Sequence, residues 1–253
     1  MFKVVYGDTD SVFINSNAYS YDDALKVANE FKKHVNDRYK LLEIDLDGVF
    51  KRLLLLQKKK YAAIKMAEGK ESTEIKGLDM KRREYSQLSK NVSQYVLDQI
   101  LSGDSTEVVV EHIHDYLTEM GESIRNGKVP LDDYIINKRL GKDPEQYPDS
   151  KSQPHVQVAM RMKSKGGTAK SGDVISYVFC ASPDGVASKT GKAENAYHPE
   201  DLRRKDSNLS LDYEYYITSQ VLPPIERLCD NIEGTDRSRL AECLGMWNYI
   251  LIC

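Results

Sequence analysis

Asp8 and Asp10 stand two positions apart in Tyr6-Gly7-Asp8-Thr9-Asp10-Ser11, the tightest cluster of chemistry-bearing side chains in the sequence. Paired carboxylates offer hard oxygen ligands, which suit Mg²⁺, an ion that keeps several waters and takes one or two carboxylates together with substrate phosphates. A site of this sort could hold metals that activate a hydroxyl and stabilise a pyrophosphate leaving group. The same letters also suit a β-turn whose Asp side chains bond their own backbone, and for Asp-Thr-Asp alone that is the commoner use. A second cluster is Lys58-Lys59-Lys60-Tyr61 at the end of an apolar run. Neighbours on a strand alternate faces, so three extended lysines cannot all be solvated on one side. Phosphate contact is one use for them, with the Tyr61 ring and hydroxyl packed on sugar or base; a solvated charged turn is the other. Glu43, Asp45 and Asp47 share one face of an alternating run, but ligands along a straight strand diverge from any single ion. His112 and His114 are two apart in a helical stretch and point in different directions. Tyr213, Tyr215 and Tyr216 suit core packing better than a stacking platform.

Those side chains must be carried by elements that the hydrophobic pattern predicts. Residues 3–6 and 11–14 are two β-rich runs around Gly7-Asp8-Thr9-Asp10, a hairpin with an acidic tip. Ser20 caps a helix with Asp22 and Asp23 in its first turn, and Ala24, Ala28, Phe31, Val35 and Tyr39 give it a core side. Leu42, Ile44 and Leu46 alternate with acidic residues as in a strand with one wet face, and a further strand runs from Phe50 through the lysines to Met66. The expected class is α+β, with an antiparallel sheet and a packed helix. Residues 67–72, containing Gly69, read as a polar linker. Helical signals then dominate: Val92, Tyr95, Val96, Gln99 and Ile100 form one stripe. Ser105 caps a run through Val109, Ile113, Tyr116, Leu117, Met120 and Ile124, closed by Gly127 and Pro130. Residues 137–152 read as loop, 155–162 as a short helix and 173–180 as a strand. The last long helix starts near Asp212 and runs toward Cys229, with Pro223-Pro224 expected to kink or break it.

The 36 basic and 39 acidic residues give a formal charge of −3. No window approaches the roughly 18 uncharged apolar residues of a membrane span, so no membrane partner is expected. Met1 reaches Asp8 and Asp10 without a basic region, so no secretory leader is expected either. Cys180, Cys229, Cys243 and Cys253 are too far apart for zinc spacing or a dense disulfide framework.

The run from Tyr6 to Ser11 resembles the metal-binding hairpin motif of B-family DNA polymerases. Lys58-Lys59-Lys60-Tyr61-Ala62-Ala63 lies at the right distance to be their lysine–tyrosine motif. Gly77-Leu78-Asp79 with Arg82-Arg83 looks like the element that enters the thumb. Residues 41–50, 76–83 and 172–178, Asn137-Lys138 with Lys142-Asp143-Pro144, and Pro154-His155-Val156 are similar to the alpha branch of the family, over nearly the whole chain to about Gly245.

The resemblance implies that Asp10 is a direct ligand of the catalytic Mg²⁺ ions and Asp8 a nearby, less direct carboxylate. Lys58, Lys59, Lys60 and Tyr61 would hold the primer strand near its 3′ end, and Gly77, Arg82, Arg83 and His155 would bind DNA from the thumb side. Residues 1–75 would be the C-terminal part of a polymerase palm and 76–246 a mainly helical thumb. Residues 247–253 form an apolar tail that departs from the family pattern. The implied reaction is attack of a primer 3′-hydroxyl on the α-phosphate of a deoxynucleoside triphosphate during initiation of DNA replication, with the electrostatic work done by the metals. Implied partners are primer–template DNA or an RNA–DNA hybrid, and in the intact complex primase and accessory subunits, in the nucleus. The family's first metal-binding motif, of the form DxxSLYPS, and its fingers helix do not occur in this sequence. Asp8 and Asp10 are therefore one side of a two-metal clamp, and the expectation is a chain that binds DNA without turnover on its own.

The near-neutral average conceals segregation. Residues 76–90 carry +3 and 138–170 carry +5, whereas 104–133 carry −6 and 198–253 carry −4. The basic stretches coincide with the elements that the family uses against DNA.

Overall fold

The acidic hairpin forms as strand β1 (Lys3–Asp8) antiparallel to β2 (Ser11–Asn15), joined by Thr9 and Asp10. In this computed structural model residues 3–67, 69–182 and 191–246 are described, and the chain divides into two units, Met1–Leu78 and Asp79–Cys253. The expected apolar tail, 247–253, lies outside the described residues, and Cys253 with it. The class is α+β.

Helix α1 (Tyr21–Arg38) begins where expected, because the Ser20 hydroxyl accepts the Asp23 amide at 3.1 Å and relieves one orphan donor of the first turn. Its apolar stripe is only half-buried, and Tyr39 beyond it is exposed. The strand expected through Leu42, Ile44 and Leu46 does not form. The Asn36 side-chain amide instead takes both polar groups of Ile44, accepting its N–H at 2.8 Å and donating to its carbonyl at 3.0 Å. A ladder partner is thereby replaced, and Leu41 and Leu42 stay 98% and 66% exposed.

The lysine run is not one extended strand. β3 (Val49–Gln57) and β4 (Lys60–Ala67) form a hairpin with Lys58 and Lys59 as its two-residue turn, Lys59 at φ 62°. The expected linker is likewise a turn around Gly69, leading to a further strand, β5 (Lys70–Lys76), so that the sheet is a β3-β4-β5 meander.

The second unit opens with a 3₁₀ turn (Asp79–Lys81), then helices α2 (Gln87–Ile100) and α3 (Thr106–Arg125). Ser86 and Ser105 cap them, and Gly127, at φ 63°, ends α3. After α4 (Leu131–Tyr134), the segment expected to be loop contributes β6 (Ile136–Arg139), which pairs with β7 (Val174–Phe179) beneath α5 (Pro154–Ser164). β8 (Ala196–Tyr197) completes that sheet and α6 (Pro199–Arg203) follows. The Pro-Pro pair does not break the last long helix. α7 (Tyr213–Tyr215) widens into a π-helical turn (Tyr216–Val221) and continues as α8 (Leu222–Cys229), ahead of α9 (Arg237–Cys243). The prolines fall where the π-helical turn passes into α8 and leave carbonyls of the preceding turn without a helical N–H donor. Val92, Val96, Leu97, Ile113, Leu117, Leu222, Ile225 and Leu240 are fully buried between these helices.

Candidate functional site

Strand β1 and the β3–β4 turn, more than fifty residues apart in sequence, meet at the Tyr6 hydroxyl. It accepts the Lys59 backbone N–H at 2.8 Å and donates to Asp8 Oδ2 at 3.4 Å, while Lys59 Nζ stands 3.8 Å from Asp8 Oδ1. The acidic hairpin tip and the lysine turn are thus one site. Beneath it, Phe13 meets the rings of Tyr6, Phe50 and Tyr61 edge-on at centroid distances of 5.4, 5.5 and 5.2 Å. Aromatic rings favour such geometries over face-to-face stacking.

The two carboxylates differ. Asp8 ends β1, and its Oδ1 also accepts the Thr9 hydroxyl at 3.1 Å, so its orientation is fixed. Asp10 sits in the turn and is exposed, with no hydrogen bond or ion pair among the described residues. Hard oxygen donors, one tethered and one open, fit a Mg²⁺ ion that takes its remaining ligands from waters and phosphates. Among the described residues no group of three or more His, Cys, Asp or Glu could hold a metal, so this pair could supply at most part of a coordination sphere. Asp45 forms no second metal site. Its carboxylate accepts from Lys32 at 2.9 Å and from the Leu46 amide at 2.8 Å.

Lys58 and Lys59 are exposed at the turn, and Lys60 is half-buried at the start of β4. The Tyr61 hydroxyl donates to Glu74 Oε1 at 3.0 Å. Burial first, and that bond second, push the phenol up to about 12, so it stays protonated as a donor. Glu74 also lies 3.7 Å from Lys65 and 4.0 Å from Lys76. Gly77 follows at φ 67°, and a Cβ there would collide with the Lys59 carbonyl oxygen. Only glycine lets the backbone pass so close to the lysine turn.

In the second unit, Arg82 lies half-exposed between Asp79 and Glu84, each 3.8 Å away, and Arg83 is exposed. His155, expected to bind DNA from the thumb side, is 2% exposed. Its ring abuts Tyr147 edge-on at 5.9 Å, and its Nδ1 has no hydrogen-bond partner among the described residues. Burial, and secondarily the charge of Lys138, depress its pKa to about 4. The ring is therefore neutral and cannot serve as a surface cation. Of the other histidines, His112 Nδ1 contacts Gln99 Oε1 and His114 Nε2 the Gly234 carbonyl, which ties each to a different neighbour. Cys180, Cys229 and Cys243 are buried thiols pushed upward by burial.

Motif spacing identifies Asp8, Asp10 and the lysine turn but misses Tyr6, Phe13, Phe50 and Glu74. The signal for Tyr6 is its position two residues before Asp8 on the same strand face. Nothing local indicates that its hydroxyl reaches Lys59.

The sequence model of DNA polymerase family B matches residues 1–232. The chain is 47% identical over 249 residues to a DNA polymerase alpha catalytic subunit of Oryza sativa subsp. japonica, covering 96% of this chain and 16% of that protein. It is 44% identical over 252 residues to the corresponding protein of Drosophila melanogaster, also a DNA polymerase alpha catalytic subunit, covering 97% of this chain and 17% of that one. The chain thus spans about a sixth of the length of these relatives. In structure it is similar to the family B DNA polymerase from Pyrobaculum calidifontis, with a TM-score of 0.68 and 28% identity over 91% of this chain and 27% of that one. With sequence and fold in agreement from the acidic hairpin to the last helices, the chain belongs to DNA polymerase family B.

Proposed function

We propose that this chain is a palm and thumb portion of an alpha-type replicative DNA polymerase, residues 1–75 belonging to the palm and 76–246 to the thumb. The observation that carries the reading is the joint made by Tyr6, which sets the Asp8 carboxylate of the acidic hairpin beside an exposed lysine turn. That juxtaposition suits a phosphate-bearing strand whose end must lie next to metal ions. In this reading Asp10 and Asp8 hold Mg²⁺ from one side. Bound there, Mg²⁺ would supply activation of the primer 3′-hydroxyl and charge stabilisation of the departing pyrophosphate. Lys58, Lys59 and Lys60 contact primer phosphates, and the Tyr61 side chain, its hydroxyl proton held by Glu74, packs at the minor groove. Gly77 keeps the following chain close to the turn. Arg82 and Arg83 contact the backbone from the thumb side, while His155 acts as a buried support at the start of α5. Deoxynucleoside triphosphates, primase, accessory subunits and a nuclear setting belong to the same proposal.

Binding of the chain to an RNA-primed DNA template is expected to weaken with salt. Lys59→Ala or Arg82→Ala should each flatten the slope of log affinity against log salt by about 0.9, one phosphate contact's worth. Salt-independent binding, or no binding, overturns the DNA grip. A second reading, a DNA-binding portion without turnover on its own, shares this grip and rests on Asp8 and Asp10 being a pair rather than a full ligand set. Primer extension by the purified chain with Mg²⁺, abolished by Asp10→Ala, would reject it.

A further inference from the structure

The exposed Arg82-Arg83 pair sits in a segment that is held from both ends by the last long helix. At the far end, Gln220 Oε1 accepts the Ser86 N–H at 2.9 Å, and its Nε2 lies 3.4 Å from the Glu84 carbonyl. The Gln220 backbone carbonyl accepts the Ser89 hydroxyl. That carbonyl is free because the residue four positions on is Pro224, which has no N–H to offer. The π-helical turn and the Pro-Pro pair thus present Gln220 to the start of α2 by both its side chain and its backbone. At the near end, Arg227 Nε donates to Asp79 Oδ2 at 2.6 Å and a terminal nitrogen donates to the Tyr85 hydroxyl at 3.1 Å.

Asp79 is therefore contested. Its carboxylate lies 2.6 Å from Arg227 but 3.8 Å from Arg82, which follows the 3₁₀ turn and stands equally far from the exposed Glu84. A carboxylate satisfied by one guanidinium attracts a second less strongly, and an arginine already closed on a carboxylate must break that pair to meet a phosphate. We propose that Arg227 is a positioning residue for the DNA grip: by engaging Asp79 and Tyr85 it leaves the Arg82 guanidinium available to a backbone phosphate. This rests on the reading of Arg82 as a phosphate contact. Arg227 need not touch DNA, because its effect passes through Asp79. Its side chain is 43% exposed, whereas that of Asp79 is 13% exposed, so its removal should cost the two bonds without unfolding the helical core.

The test is the salt dependence of primer–template binding by the whole chain. Arg227→Met should flatten the slope by about 0.9, as Arg82→Ala does, with a melting temperature lowered only by the loss of its bonds to Asp79 and Tyr85. Arg227→Lys, which keeps a cation at Asp79, should retain most of the slope. Adding Asp79→Asn to Arg227→Met removes the charge that would capture Arg82 and should restore the slope. A parental slope in Arg227→Met overturns the proposal. A loss that Asp79→Asn does not restore also overturns it, since it makes Arg227 itself the phosphate contact. If Arg82→Ala and Arg83→Ala both keep the parental slope, the reading of the pair as DNA contacts fails instead.

Discussion

Of the apolar side chains that are buried among the described residues, Ala62, Ala63 and Leu78 lie in the first unit, while the second holds all the rest, including Val92, Ile113, Leu117, Tyr216 and Leu240. The exposed large apolar side chains show the reverse bias: Val4, Val5, Val12, Tyr19, Tyr39, Leu41, Leu42 and Leu46 against Val108, Met160 and Val174. The unit with the candidate chemistry is held mainly by backbone pairing, a ring cluster and side-chain hydrogen bonds. The unit with the arginine pair has a conventional helical core. Chemistry and burial have been assigned to different parts of the chain, so the two units should respond to different kinds of damage.

The largest effect tests burial itself. Leu117→Ala, at a fully buried position on α3, should cost roughly 3 to 4 kcal/mol, whereas Leu41→Ala, at 98% exposure, should stay within about 0.5. Urea denaturation of both variants reads the difference directly. Similar losses at the two sites would mean that Leu41 is covered and that the contrast is false.

Next is a pH dependence confined to the second unit. His155 is held neutral in the folded chain, its pKa lowered from 6.5 to about 4, so the unfolded chain binds the proton first as pH falls. The contribution is complete above about pH 6.5 and is lost between there and pH 4, by up to about 3 kcal/mol. His155→Phe, which keeps a ring against Tyr147, should flatten the stability curve over that window; an unchanged curve would show that another group carries it.

Gly77→Ala attacks the first unit through its backbone. The left-handed φ of 67° and the close approach to the Lys59 carbonyl predict a loss of about 2 kcal/mol, with the β3-β4 turn displaced. The same change at Gly166, also left-handed but open, should cost less because it meets no neighbouring atom.

How much of this can be read from residues alone divides along the same line. The helical core is legible where a stripe such as Val109, Ile113, Leu117 and Ile124 repeats with the helix and Ser105 marks its start. The acidic hairpin and lysine turn are legible as letters. Their union is not, because it depends on a tyrosine hydroxyl meeting a backbone N–H far along the chain. The strand expected at Leu42 fails because alternation reports which face is wet, not whether a neighbouring strand exists, and Asn36 supplies the pairing instead. His155 misleads for a related reason, since residue type does not disclose burial. The penalty of the two prolines depends on whether the carbonyls they orphan find other donors, as Gln220 finds Ser89, and no local pattern reveals that.

The smallest change is also the most specific to the joint. Tyr6→Phe keeps the ring packed on Phe13 and deletes only the oxygen that accepts from Lys59 and donates to Asp8. Because both partners retain access to water, the stability cost should be about 1 kcal/mol. Its effect on binding should be of a different kind from that of Lys59→Ala. No charge is removed, so the salt slope stays near parental, while affinity for primer–template falls because the turn must be ordered on binding. A flattened slope in Tyr6→Phe would mean that the hydroxyl sets how many lysines reach phosphate. Unchanged affinity would mean that the turn is held without it, and that the two halves of the site are joined by the Phe13 ring cluster instead.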